Sequence, residues 1–502
     1  MNLISIFDAN VRKSPEKACL RFAGTTATYE QVQSRSRQAA HALAGLGVKR
    51  GDRVALMCFN TPGFVYALIG AWRLGATVVP VNHKLQAPEV RYILEHSKSR
   101  ICIGDGALAP VISTLTDAAT CLSTDSPIAG LQDFDALLAA APSTPLEDEL
   151  ADENAVAEIL YTSGTTGRPK GCVHSHRTVV LSAINAALGV SITRDEVTLM
   201  AMPIWHASPL NNWLNGTLYM GGTVVLLREY KPLDFLKAVQ DERVTLYFGA
   251  PVSFVAPLQV VPNFAEFDLS SVRAWIYGGG PIGADLARKL AVAYKSETFF
   301  QVYGMTEAGP VGTTLYPEEQ VAKAGSIGRS AGPAVDMRVV REDGRDASRG
   351  ETGEIWLRTE SAMQGYLDDP EATRKAFADG GWYKSGDIAR IDEDGYLFIV
   401  DRIKDMIVTG GENVYSKEIE DVLSGHPEVA DVAVIGAPHP EWGETVVAHI
   451  VAAKGCSPTG ESLREYLGDK LAKYKIPRDW VFANTLPRTP TGKLQKFLLR
   501  KS

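Results

Sequence analysis

Short apolar runs, each closed by Gly, Pro or a charged residue, alternate with segments of helical period through most of the first 300 residues. RVALMCF (53–59), ATVVPV (76–81), GTVVLL (222–227) and TLYFGA (245–250) read as buried strands, and GFVYALIGAWRLG (63–75) reads as a helix between two of them. Buried runs joined by helices predict parallel sheets with helices on their faces. From about residue 400 the pattern changes. KEIEDVLSG (417–425) sets Ile419, Val422 and Leu423 on one face of an amphipathic helix, and DVAVIGAP (431–438) and TVVAHIVAA (445–453) follow as strands. The hairpin-like DEDGYLFIVDR (392–402) ends on polar residues, so a domain boundary is expected near Asp401. The expectation is an α/β chain with a large N-terminal domain of helix-covered sheets, 1–401, and a small C-terminal α+β domain, 402–502, joined by a hinge.

Composition narrows the partners more than the fold. Apolar residues make up 45%, charged residues 22%, and the formal net charge is −8 with a pI near 5.7, the values of an ordinary globular protein. An acidic chain is not expected to bind nucleic acid. No apolar run reaches the ~18 residues of a membrane span, and the opening MNLISIFDANVRKSPEK lacks the basic lead and cleavage site of a secretion signal. The expected location is the cytoplasm. Cys19, Cys58, Cys102, Cys121, Cys172 and Cys456 form no C-x-x-C pair and read as reduced, mostly structural thiols. His174 and His176 lack the companions of a metal site and read as an ordinary polar strand end. Charge is uneven, however. Residues 101–167 hold eleven acidic side chains and no Lys or Arg, which reads as a solvated segment, whereas 470–502 hold nine basic side chains against Asp479 alone. A basic face in an acidic protein suits a small polyanion.

The strongest local signal is YTSGTTGRPKG (161–171), in which a strand-like run opens into Thr162, Ser163, Gly164, Thr165, Thr166 and Gly167, followed by Pro169 and Lys170. Glycines let backbone N–H groups approach an anion, hydroxyls add donors and Lys supplies the countercharge. Its spacing is not that of the G-x-x-x-x-G-K-[ST] loop. A literal G-x-G-x-x-G, Gly278, Gly280 and Gly283, also lies between a strand-like and a helix-like run. That fingerprint is the argument for a nicotinamide- or flavin-dependent oxidoreductase, but ETFFQVYG stands where an acidic ribose ligand would be expected.

Together with QVYGMTE (301–307), YKSGD (383–387), DRIKDMIVTGGENVYSKEIE (401–420) and PRTPTGK (487–493), in this order, the phosphate loop resembles the acyl-adenylate-forming superfamily of acyl-CoA synthetases. The stretch GGENVYSKEIE most resembles bacterial aryl- and acyl-CoA ligases, among them 4-chlorobenzoate-CoA ligase. The resemblance implies two half-reactions: a carboxylate attacks the α-phosphate of MgATP to give acyl-AMP and pyrophosphate, then the acyl group passes to coenzyme A. It implies Lys493, Thr306 and His206 as catalytic residues. A cation between two anions at ~4 Å and an effective dielectric near 20 is worth roughly 4 kcal/mol, which is the task assigned to Lys493. Thr306 would donate to the α-phosphate, Glu307 would hold Mg²⁺, and Tyr303, Gly304 and Met305 would meet the nucleotide. The backbone of Gly278, Gly279 and Gly280 would face the adenine. Asp387 would accept from the ribose hydroxyls with Arg402 beside it. Lys404 matches the hinge about which the small domain turns, Gly410 and Gly411 would line a pantetheine tunnel, and Trp442 would wall it. Lys473, Lys475 and Arg478 are candidates for the CoA phosphates.

The acyl pocket is expected from Trp205, His206, Ser208, Phe248 and Tyr277, with polar contacts from Asn211 and Asn212. Pro209 stands where the family often has Gly, no Asp is placed to bind an α-ammonium group, and no extra cation awaits a second carboxylate. An aromatic or short-to-medium aliphatic monoacid fits best. Transfer to a carrier-protein thiol, or oxidation of the adenylate, is the close rival and the oxidoreductase the distant one. The partners expected are the acid, ATP and CoA, with no membrane span and with a homodimer left open.

Overall fold

The computed structural model describes residues 2–149, 152–162, 169–280, 282–409, 412–440, 442–468, 470–488 and 494–500. The chain divides into two compact units, the first comprising Met1–Met337 with Leu357–Tyr383 and the second Arg338–Trp356 with Lys384–Ser502. The second unit thus takes in two stretches that precede Asp401. Among the described residues no helix is long and apolar enough to cross a membrane.

The first unit holds two eight-stranded sheets. In one, the strands run in the order Gly312–Leu315, Phe299–Gly304, Ala274–Gly278, Leu246–Gly249, Val197–Met200, Thr223–Leu226, Ala18–Phe22 and Thr25–Thr28. The six inner strands are mutually parallel and the two edge strands antiparallel. In the other, Val156–Thr162 joins Thr77–Pro80, Arg53–Met57, Ser99–Asp105, Thr120–Thr124 and Gln132–Asp133 in parallel. Lys170–Ser175 and the short Gly365–Tyr366 extend that sheet antiparallel. Continuous apolar strands fit this arrangement because a parallel sheet is covered on both faces.

One of the covering helices, Pro62–Leu74, shows how the local sequence sets its ends. Thr61 accepts from the Phe64 N–H, Pro62 occupies the first turn, and Gly75 closes the helix at φ 74°. Gly70 has no room for a side chain, since a Cβ there would lie 2.5 Å from Ala39 Cβ of the helix Tyr29–Gly45. Beyond the strand Arg53–Met57, the Asn60 amide donates to the carbonyls of Met200 (3.0 Å) and Met202 (2.9 Å), while its oxygen accepts from the Ile204 N–H at 2.9 Å. Carboxyl ends of strands from both sheets are thereby tied together, where open α/β sheets place their ligands. The five cysteines at 19, 58, 102, 121 and 172 are buried, and all six are free thiols.

In the second unit, Ile407–Thr409, Glu412–Val414, Val429–His439 and Gly443–Ala452 form an antiparallel sheet, to which Asp479–Phe482 adds in parallel. Ile419 and Leu423 of Ser416–Ser424 and Leu463 and Leu467 of Gly460–Gly468 share its apolar core. The buried Asp401 carboxylate accepts from the Ser416 N–H and Oγ, capping the first of these helices.

Candidate active site

The phosphate-loop motif sits on a hairpin. Val156–Thr162 and Lys170–Ser175 pair so that Thr162 lies opposite Lys170, Leu160 opposite Cys172 and Glu158 opposite His174. Ser163, Gly164, Thr165, Thr166 and Gly167 lie outside the described residues. Lys170 at the base of the loop has its Nζ 5.0 Å above the Tyr366 ring and 3.9 Å from the Asp369 carboxylate. Tyr366 is the register partner of Cys172, and its hydroxyl donates to Glu307 Oε1 at 3.0 Å. Burial, and then the nearby Glu307 charge, push the Tyr366 phenol far above its usual value, so it remains a donor.

His174 supplies the second tie. Its Nε2 donates to the Thr306 carbonyl at 2.9 Å across 132 positions of sequence. Burial holds the imidazole down to about 4, which keeps the ring neutral with its proton on Nε2. The Met363 N–H donates to the Glu307 carbonyl at 2.9 Å. The hairpin and the Thr306–Glu307 pair are thus held together by His174 and Tyr366. Neither residue belongs to the motifs that announce the site. His174 reads in sequence as a strand end, and Tyr366 carries no local signal at all.

Tyr303 and Gly304 end the strand Phe299–Gly304, with Met305 leading into the turn Thr306–Ala308. The neighbouring Gly278 is tight, with Phe248 Cε2 3.0 Å and the Val302 carbonyl 3.1 Å from a Cβ built on it. Gly279, at φ 84°, and Gly280 meet nothing within 4 Å, an open backbone ledge that a ligand can approach.

Around the expected acyl pocket, the Trp205 indole N–H donates to His83 Nδ1 at 3.1 Å and the Trp205 and His206 rings lie 5.5 Å apart. Ser208–Leu214 winds as a π-helix with Pro209 in its first turn. Ser208 Oγ accepts from the Trp213 indole at 3.1 Å, and Trp213 stacks on Phe248 with centroids 5.3 Å apart. Tyr277 is not brought to Phe248. The register pairs Phe248 with Ile276, so Tyr277 takes the opposite face of the sheet, in the cluster of Tyr247, Phe254 and Trp275, with its hydroxyl on Gln320 at 2.6 Å.

In the second unit Asp387 and Arg402 are register partners, joined by an ion pair of 2.9 Å in which Asp387 is buried. Lys404 follows on an exposed turn. The Arg478 guanidinium lies 4.3 Å from the centre of the exposed Trp442 ring, while Lys475 is paired with Glu418 at 2.7 Å. Gly410, Gly411 and Lys493 lie outside the described residues. The flanks of Lys493 are anchored: the Gln495 N–H donates to the Pro487 carbonyl at 2.8 Å, and Lys496, nearly buried, pairs with Glu420 at 2.8 Å and reaches Ser416 Oγ.

The AMP-binding enzyme family model matches residues 7–367, and that of the AMP-binding enzyme C-terminal domain matches 418–493. The chain belongs to the AMP-binding enzyme family. A feruloyl-CoA synthase of Amycolatopsis is 37% identical over 98% of this chain and 96% of its own length. A long-chain-fatty-acid–CoA ligase of Mycobacterium tuberculosis is 38% identical over 94% and 92%. The o-succinylbenzoate CoA synthetase of Bacillus subtilis, solved with its acyl-adenylate intermediate, superposes with a TM-score of 0.89 at 30% identity, covering 99% of this chain and 98% of the other.

Proposed function

We propose that this AMP-binding enzyme is an ATP-dependent acid–thiol ligase, which converts a monocarboxylic acid to acyl-AMP and then to acyl-CoA. The observation that carries the reading is the joining of the phosphate hairpin to Thr306 and Glu307 through His174 and Tyr366. In the first step a carboxylate oxygen bonds to the α-phosphorus, and the bond to the bridging oxygen breaks as pyrophosphate leaves with the electron pair. Lys493 screens the two anions from each other, the Thr306 hydroxyl donates to the α-phosphate, and Lys170 with residues 162–167 holds the outer phosphates. Tyr303 and the Gly279–Gly280 ledge take the adenine, and Asp387, oriented by Arg402, takes the ribose hydroxyls.

No cluster of three His, Cys, Asp or Glu among the described residues could hold a metal unaided. Glu307 nevertheless presents a carboxylate beside a hydroxyl, the hard-oxygen donors that suit Mg²⁺ shared with phosphates. Held there, the ion would neutralise phosphate charge.

In the second step the CoA thiol gives up its proton and its sulfur bonds to the acyl carbon, displacing AMP. Lys404 serves as the hinge for this step, and Gly410, Gly411 and Trp442 guide the pantetheine arm. Trp205, His206, Ser208 and Phe248 bound a pocket for an aromatic or short-to-medium aliphatic acid. The test is carboxylate-dependent pyrophosphate release from MgATP across benzoates, cinnamates and fatty acids, with and without CoA. Sustained release that requires CoA is expected. Release indifferent to CoA would shift the acceptor to a carrier-protein thiol, and no release with any acid would overturn the ligase.

A further inference from the structure

The phosphate-loop motif begins with Tyr161 and ends with Pro169, Lys170 and Gly171, and of these four residues only Lys170 carries a charge that a phosphate can use. The other three are tied to one helix. The Tyr161 hydroxyl donates to His96 Nδ1 at 2.7 Å, and the Tyr92 hydroxyl donates to the Pro169 carbonyl at 3.1 Å. Burial pushes the Tyr161 phenol far above its usual value, so it keeps its proton and His96 Nδ1 accepts. Tyr92 and His96 stand one turn apart on the helix Ala87–Ser97 with their rings stacked at 5.4 Å, and the Tyr161 ring meets His96 edge-on at 5.8 Å. Gly171 is the register partner of Tyr161, and a Cβ built on it would lie 3.3 Å from Tyr161 Cζ, so a side chain there would crowd the ring that reaches His96. Docking of the helix does not account for these contacts. Its Val90, Ile93 and Leu94 are buried in the core, whereas Tyr92 and His96 lie half-buried beside the motif.

We propose that Tyr92 and His96 are positioning residues for adenylation, which fix the two ends of the phosphate loop through Pro169 and Tyr161. The inference rests on the ligase reading, in which Lys170 with residues 162–167 holds the outer phosphates of ATP. Thr162 and Lys170 are the last register pair of the hairpin, and the end of a ladder is where local opening costs least. Two bonds from one helix brace that end on both strands. Bracing the ends in advance spares part of the ordering cost that the loop would otherwise meet each time ATP binds. The loop is set only while both ends are held, so a second break adds little to the first.

The test uses the full chain and measures pyrophosphate release from MgATP with the acid turned over best, beside conversion of supplied acyl-AMP to thioester. Tyr92→Phe is expected to lower kcat/KM for MgATP about fivefold, the worth of one neutral hydrogen bond, with the KM for the acid and the thioester step unchanged. Tyr161→Phe and His96→Phe delete the other bond from its two sides and should give the same loss as each other. The double variant Tyr92→Phe/His96→Phe should lose about fivefold, where independent sites would lose about 25-fold. Equal loss of both half-reactions in the variants would make these residues supports of the fold and overturn the proposal, as would unchanged use of MgATP or an additive double variant. In each of those cases pyrophosphate release by the natural chain leaves the ligase reading intact. Absence of release from the natural chain with every acid overturns the ligase reading and the proposal together.

Discussion

At the phosphate end of the candidate site, one side chain holds the next. Lys170 lies over Tyr366, Tyr366 donates to Glu307, and His174 donates to the Thr306 carbonyl. Around the π-helix Ser208–Leu214, on which the proposed acyl end is built, Asn211 and Asn212 with the neighbouring Asn185 and Glu158 keep polar atoms with no partner among the described residues. Burial differs as well: Lys170, Glu307 and Tyr366 are half-buried, whereas Asn211 and Glu158 are fully buried. The phosphates present the same oxygens in every turnover, and a fixed network can be matched to them in advance at no reorganisation cost. The acid is the variable substrate.

The largest effect should come from a residue that serves only the first of the two chemistries. Lys493→Ala is expected to slow acyl-AMP formation by about 1,000-fold, the loss of a transition-state charge contact, while supplied acyl-AMP is still converted to thioester. Pyrophosphate release and thioester formation, measured separately, check this. Equal loss of both would remove the assignment of Lys493 to adenylation.

Next in size is a stability effect at the acyl end. Burial pushes the Glu158 carboxyl up to about 7 from its ordinary 4.5, with the Asn211 bond opposing. The folded chain therefore holds a proton that the unfolded chain has released between these values, and stability falls as pH rises from 4.5 through 7. Glu158→Gln keeps the Asn211 contact and removes the titration. The variant should gain about 3 kcal/mol on the natural chain by pH 8 and nothing below pH 4.5. Thermal melts from pH 4 to 8 would show the gap opening, and a constant gap would place the titration elsewhere.

At the phosphate end, Tyr366→Phe deletes one hydroxyl from a carboxylate that stays in place. A bond to a charged group is worth about 1.5–3 kcal/mol, so the KM for MgATP should rise about tenfold or more with the fold unchanged. Titration of ATP at fixed acid measures it, and an unchanged KM would make the Tyr366–Glu307 bond a packing detail.

Much of this organisation is legible in the sequence because it is local. The run 53–59 becomes the strand Arg53–Met57 and 63–75 the helix Pro62–Leu74, since Thr61, Pro62 and Gly75 mark the ends in the chain itself. The phosphate loop and the Thr306–Glu307 pair are likewise contiguous motifs. What escapes is made by return contacts. Gly365–Tyr366 is a two-residue strand whose importance lies in its pairing with Val173 and Cys172, and no short apolar run announces it. Lys496 reads as one cation of a basic tail, yet it is nearly buried against Glu420. The π-helix is hidden for another reason: Pro209 sits in the first turn, which either helix type accommodates, so composition cannot separate them. Tyr277 shows the limit of motif proximity, because adjacent positions on a strand face opposite ways.

The smallest effect tests whether the entrance to the acyl end is pre-set like the phosphate end. Trp205 is held by its indole N–H on His83 Nδ1, and His83 is itself packed 4.4 Å from Phe59. Burial, and then the Lys84 charge, hold the His83 imidazole down to about 4. At neutral pH the ring is therefore uncharged and its Nδ1 free to accept. Because the folded value lies below the ordinary 6.5, the bond and its contribution are fully present above 6.5 and are lost as pH falls through 4. His83→Phe keeps a flat ring against Phe59 but removes the acceptor. A neutral hydrogen bond contributes about 1 kcal/mol net, so the KM for the acid should rise about fivefold while the KM for ATP stays constant. Tryptophan emission should shift in the variant at pH 7, and in the natural chain on acidification. A rise in both KM values would mean that His83 supports the fold at large, and the entrance would then belong with the loosely partnered acyl end.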